Sequence, residues 1–81
     1  MEAWTVYILE CKDKTLYTGI TNNLERRIHQ HESGQGAKYT KGRGPFLVIY
    51  TEEFAEKGLA LSREHQIKQL NKNQKLALTI N

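Results

Sequence analysis

Trp4, Val6 and Ile8 alternate with Thr5, Tyr7 and Leu9 along residues 4–11, the period of a strand rich in β-forming side chains. A polar break at Lys12, Asp13 and Lys14 follows, and residues 15–20 resume the strand pattern. The two runs predict a β-hairpin, and its loop length decides which way the tyrosines point. A two-residue turn would pair residue 12 with residue 15 and set Tyr7 and Tyr17 on opposite faces. An odd loop, or one bulge, sets them on the same face, as cooperation between the phenols requires.

Asn22, with Glu25 three residues later, resembles a capping box and predicts a helix over about 23–33. Leu24, Ile28 and the neighbouring His31 trace one stripe of it. Arg27 and His31, four apart, lie one above the other. Gly34 reads as the C-cap. Residues 35–45 form a glycine-rich basic loop containing Tyr39, and residues 46–50 are a continuous apolar run, predicting a strand that is central or buried on both faces. The acidic stretch 51–58 reads as a solvated strand end leading into a helix start, because acids suit a helix N-terminus. A second helix is predicted over about 58–70, with a cap at Asn71 and a last short helix over about 72–79. Ala60, Glu64 and Ile67 fall on one stripe, so Glu64 stands where periodicity expects an apolar residue.

The 81 residues suggest one domain spanning 1–81. No apolar run approaches membrane-spanning length, and the N-terminus lacks the order of a signal peptide, so a cytoplasmic protein is expected. Cys11 is the sole cysteine; it reads as a small buried hydrophobe, and no internal disulfide is possible. Twelve Lys and Arg oppose nine acids, for a net charge of +3. The surplus is local: Lys38, Lys41 and Arg43 lie in one stretch without an acid, and Lys68, Lys72 and Lys75 in another. Basic surface of this kind suits a polyanion such as nucleic acid, although surplus lysines also serve solubility.

A carboxylate on a core-facing stripe is costly unless a cation satisfies it. For Glu64 that cation is Lys68, one turn on, or a bound Mg²⁺, which often uses a single carboxylate and keeps most of its waters. Arg27 fits a surface ion pair with Glu25 or Glu32, or a clamp on phosphate oxygens. His29 and His31 point about 200° apart on a helix, so they do not share a metal. Glu52, Glu53 and Glu56 lack a nearby His or Asn to complete a metal site. Taken singly, each residue has an ordinary structural explanation. Together, Tyr7, Tyr17, Arg27, His31 and Glu64 make a complete set for metal-assisted phosphodiester hydrolysis.

The chain resembles the GIY-YIG nuclease superfamily, and most closely its small stand-alone bacterial branch. Thr5-Val6-Tyr7 stands at the first motif and Tyr17-Thr18-Gly19 at the second; Arg27 and His31 match the following arginine and histidine, and Glu64 the carboxylate of the later helix. The loop of residues 37–45 also reads like that branch. The resemblance implies an α+β fold, a three-stranded antiparallel sheet flanked by helices in the order β-β-α-β-α-α. It implies cleavage of DNA by a structure-selective endonuclease acting in repair or processing, in a monomer with no membrane association. It further implies catalytic roles for Tyr7, Tyr17, Arg27, His31 and Glu64, with Mg²⁺ or another divalent cation on Glu64. DNA contacts are expected at Lys38, Lys41, Arg43, Lys68 and Lys72.

The sequence departs from the family pattern at three places. Thr5 and Val6 replace the first motif's Gly and Ile, Ile20 replaces a lysine that some members carry, and Leu76 falls near the position where many nuclease members have an asparagine. The last departure keeps open an alternative, a nucleic-acid-binding module with weak or no catalysis. A protein-interaction domain is a third reading, supported only by the acidic residues 52–56.

Overall fold

The computed structural model describes residues 3–80; residues 1, 2 and 81, which the single-domain expectation includes, lie outside them. Strand β1 (Trp4–Glu10) pairs antiparallel with β2 (Leu16–Thr21), Tyr7 opposite Gly19 and Leu9 opposite Tyr17. Tyr7 and Tyr17 therefore share a sheet face. The loop that sets this register holds five residues, 11–15, closed by bonds from Cys11 N to the Thr15 carbonyl (2.8 Å) and from Lys14 N to the Cys11 carbonyl (2.9 Å). Lys14 takes the left-handed conformation, φ 71°, that closes it. The odd loop is present.

Helix α1 (Leu24–Glu32) begins one residue later than its expected cap: Asn23, not Asn22, accepts the bond from Arg26 N at 3.0 Å. Thr21 still belongs to β2 and its hydroxyl accepts from Asn23 N, so the turn out of the strand consumes Asn22. At the other end, Gly34 (φ 81°) and Gln35 return bonds to the His31 and Gln30 carbonyls, a Schellman closure that only the glycine permits cheaply.

Strand β3 (Leu47–Phe54) corrects one expectation. The sheet order is β2-β1-β3, so the apolar run 46–50 forms an edge strand and β1 is central. The four successive residues Val6, Tyr7, Ile8 and Leu9 are fully buried, whereas Leu47 and Val48 are exposed. A bond from Lys12 N to the Arg43 carbonyl (2.8 Å) delivers β3 beside β1 rather than beside β2. The acidic residues 51–53 continue the strand, and a bulge at Ile49 shifts the register between Ile8 and Leu9.

Helix α2 (Lys57–Lys68) lays Ala60 and Ile67 on Val6 and Ile8, forming the core with Trp4, Leu16, Ile20, Phe54 and others around it. Helix α3 (Lys72–Ala77) starts at Asn71 with a complete capping box to Gln74 and is shorter than expected. Among the described residues, no helix is long and apolar enough to cross a membrane.

Candidate active site

The face of the sheet opposite that core carries Tyr7, Gly19 and Tyr17. Tyr7 is fully buried, so its hydroxyl requires a partner. It finds His31 of α1: the Tyr7 oxygen lies 2.8 Å from His31 Nε2, and His31 Nδ1 lies 2.8 Å from Thr40 Oγ1. The Thr40 hydroxyl donates to the Ala37 carbonyl at 3.0 Å, so it accepts from Nδ1–H. That order fixes the imidazole tautomer, leaving Nε2 to accept the Tyr7 proton.

Burial, with the Arg27 charge adding to it, holds His31 down at about 4. Tyr7 is pushed up to about 12, mainly by burial; Tyr17 and Glu64 add to this and Arg27 opposes it. Both groups are neutral at pH 7. The Arg27 guanidinium lies against both phenols, which strengthen its hold on its proton. One of its Nη atoms donates to Gln30 at 3.0 Å, but its Nε is buried with no partner among the described residues. Neither Glu25 nor Glu32 pairs with it among the described residues. A buried charged donor left unpaired costs free energy unless an anion completes it.

Glu64 is mostly buried and pairs with Lys68 at 3.4 Å. Of the two cations expected for it, Lys68 is the one present, and its charge also reaches the Tyr7 phenol. Among the described residues there is no cluster of three His, Cys, Asp or Glu, so any metal would rest on this one carboxylate and on water. Such a donor set fits Mg²⁺, and a cation already sits beside the carboxylate in the form of an ammonium group. Of the acidic residues 52–56, Glu52 is used otherwise: it accepts from Tyr50 and from Arg63 at 3.0–3.1 Å.

Tyr17 packs edge-on to His31 (centroids 5.2 Å apart) and stacks on Tyr39 (5.9 Å), whose ring lies 4.6 Å from the Arg43 guanidinium. Arg43 also pairs with Asp13 of the hairpin loop. Lys38 and Lys41 are exposed on the loop over His31, and Lys72 is exposed at the start of α3. Two site features escaped the sequence reading. Thr40 has no local signature. Gly36 does, being a glycine at the start of the basic loop: a Cβ there would lie 2.5 Å from His31 Nδ1. Gly19, part of the second motif, is equally constrained, a Cβ there lying 2.6 Å from the Tyr7 oxygen.

The GIY-YIG catalytic domain matches residues 3–77. A UPF0213 protein of Oceanobacillus iheyensis is 58% identical over 73 residues, covering 90% of this chain and 85% of the relative. Another, of Clostridium perfringens, is 62% identical over 73 residues, covering 90% and 78%. The solution NMR structure of a UPF0213 protein from Bacillus halodurans superposes with a TM-score of 0.60 at 49% identity, covering 94% of this chain and 81% of that one. A second solution NMR structure, of a protein from E. faecalis, gives 0.64 at 37% identity, covering 96% and 88%. With that match across the sheet, both longer helices and α3, the chain belongs to the GIY-YIG family.

Proposed function

We propose that the protein is a divalent-metal-dependent DNA endonuclease, structure-selective and acting in repair or processing. The observation that carries this is the buried, unpartnered Nε of Arg27 beside the Tyr7–His31–Thr40 chain. The site offers a phosphate an incomplete cationic donor, and offers a water the phenol oxygen of a proton-conducting chain.

Arg27 binds the scissile phosphate and stabilises the charge that grows on it during attack. Tyr17, in ring contact with both Tyr7 and His31, orients that phosphate. The Tyr7 oxygen accepts a hydrogen bond from the attacking water. As the water oxygen bonds to phosphorus, the bond from phosphorus to the leaving strand's oxygen breaks; the water's proton passes to Tyr7, the phenol's own proton passes to His31 Nε2, and the departing oxygen takes up a proton from solvent. Thr40 holds the resulting imidazolium through Nδ1–H. A Mg²⁺ on Glu64 would supply Lewis-acid stabilisation of the leaving oxygen.

Burial raises the Tyr7 phenol and lowers the His31 imidazole, so both oppose this proton transfer before substrate arrives, by a cost of several pKa units. A phosphate on Arg27 cancels one of the two causes that hold His31 down, and so lowers that cost. The test is cleavage of branched, nicked and single-stranded DNA with and without Mg²⁺. Wild type should cut in Mg²⁺, and Arg27→Ala and Glu64→Ala should lose at least two orders of magnitude in rate. Equal residual cleavage by wild type and Glu64→Ala would remove this reading.

Leu76 favours a second one. It lies half-buried in α3 near the position where many family nucleases have an asparagine. A binding module with little turnover would keep salt-sensitive DNA affinity that Glu64→Ala leaves intact or strengthens.

A further inference from the structure

The free edge of β2 borders a cleft of about 250 Å³ lined by Leu16, Tyr17, Thr18, Tyr39, Lys68 and Lys75. Its composition is unusual for a structural groove. Lys68 from α2 and Lys75 from α3 converge on it, and among the described residues Lys75 has no carboxylate partner. Thr18 is 2% exposed, and its hydroxyl has no hydrogen-bond partner among the described residues. Lys68 already pairs with Glu64, so the groups that an anion would complete are the Lys75 ammonium and the Thr18 hydroxyl. The opposite wall is aromatic: Tyr39 is 44% exposed and stacks on Tyr17. Tyr17 belongs to both places, since its ring also contacts Tyr7 and His31.

We propose that this cleft binds the nucleotide next to the scissile phosphate on a single-stranded segment, its own phosphate held by Lys68, Lys75 and the Thr18 hydroxyl. The proposal rests on the nuclease reading and names the substrate form that the site accepts. Phosphate follows from the two ammonium groups and the hydroxyl. A single strand follows from the tyrosines, because only an unstacked nucleotide can present its base and sugar to an aromatic wall. Burial and the neighbouring Lys68 already hold the Lys75 ammonium below its usual range, as expected of a cation without its counter-ion. A strand entering the cleft would pass over Tyr17 to reach Arg27. Lys68 is shared with Glu64, so a divalent cation on Glu64 would release it to the cleft.

The test is fluorescence anisotropy with a short labelled oligothymidylate, and with a duplex of equal length, in EDTA over a range of KCl. Lys75→Met should weaken single-strand binding about fivefold and lower the salt slope by about 0.7, the share of one phosphate contact. Lys75→Arg should keep wild-type affinity. Thr18→Val, which replaces an unpaired hydroxyl by a methyl of the same shape, should weaken binding while melting at or above the wild-type temperature. If wild type binds and both Lys75→Met and Thr18→Val match it, the subsite is overturned while the nuclease reading stands. Equal losses on duplex and single strand overturn the single-strand assignment. Failure of wild type to bind either probe at low salt removes the nuclease reading and this subsite together.

Discussion

Tyr7 and His31 share one proton across 2.8 Å, and burial keeps it on the phenol. This has a thermodynamic consequence separate from activity. His31 is held at about 4 in the folded chain against about 6.5 unfolded, so the unfolded state binds more protons between those values. Stability conferred by neutral His31 is therefore complete above pH 6.5 and lost as pH falls toward 4. The loss should be about 3 kcal/mol in urea denaturation, and His31→Gln should remove most of that pH dependence. Arg27→Gln should raise the His31 pKa in an NMR titration, because the guanidinium is one of the two causes holding it down. Gly36 acts at the same scale. The Cβ of Gly36→Ala would lie 2.8 Å from His31 Cγ and 2.9 Å from its Cα, which no rotamer change relieves. That variant should lose 1–3 kcal/mol, and its His31 should titrate closer to 6.5. Arg27, His31 and the tyrosines were legible because hairpin parity and helical spacing are local rules. Thr40 was not, because its role depends on how a loop folds back over α1.

Local signals also account for which elements were readable. The cap at Asn71 announced α3, where the structure completes it as a capping box with Gln74, and Gly34 announced the end of α1. The exchange of roles between β1 and β3 was not readable, because both runs are apolar and their order in the sheet is a tertiary fact. What fastens the edge strand is polar: Glu52 and Tyr50 of β3 meet Arg63 of α2. Burial alone would raise the Glu52 carboxyl, but Arg63 and the Tyr50 hydroxyl hold it below the usual carboxylate range. Its stabilising contribution is therefore present above about pH 4.5 and lost as pH falls through the lower folded value. Arg63→Met should cost about 1–2 kcal/mol at pH 7, less than a fully buried pair because both partners keep some solvent contact. The deficit should shrink as pH falls below 4.5, where wild type progressively loses the same interaction. A deficit that stayed constant with pH would mean Arg63 stabilises by packing alone.

At the scale of the whole molecule, the site is completed by a loop with little regular structure. Residues 36–40 supply Gly36, the Ala37 carbonyl and Thr40 to His31, and the loop is tied to the hairpin at its far end. The ties are the Lys12 N to Arg43 carbonyl bond, the Arg43–Asp13 ion pair, and the ring of Tyr39 between Tyr17 and Arg43. The ion pair is partly exposed, so Asp13→Asn should weaken the tie only slightly, while asparagine can still accept the bonds from Thr15. The loss acts on loop opening rather than on global unfolding. Amide exchange at Thr40 and Arg43, bonded to the Ala37 and Thr40 carbonyls, should quicken measurably. The central amides of β1 should exchange as in wild type. Raising salt to 0.5 M should reproduce part of the effect in the unmodified chain, since screening weakens the same pair. If β1 amides quicken in proportion to those of the loop, the ion pair supports the whole fold and not the cover over His31.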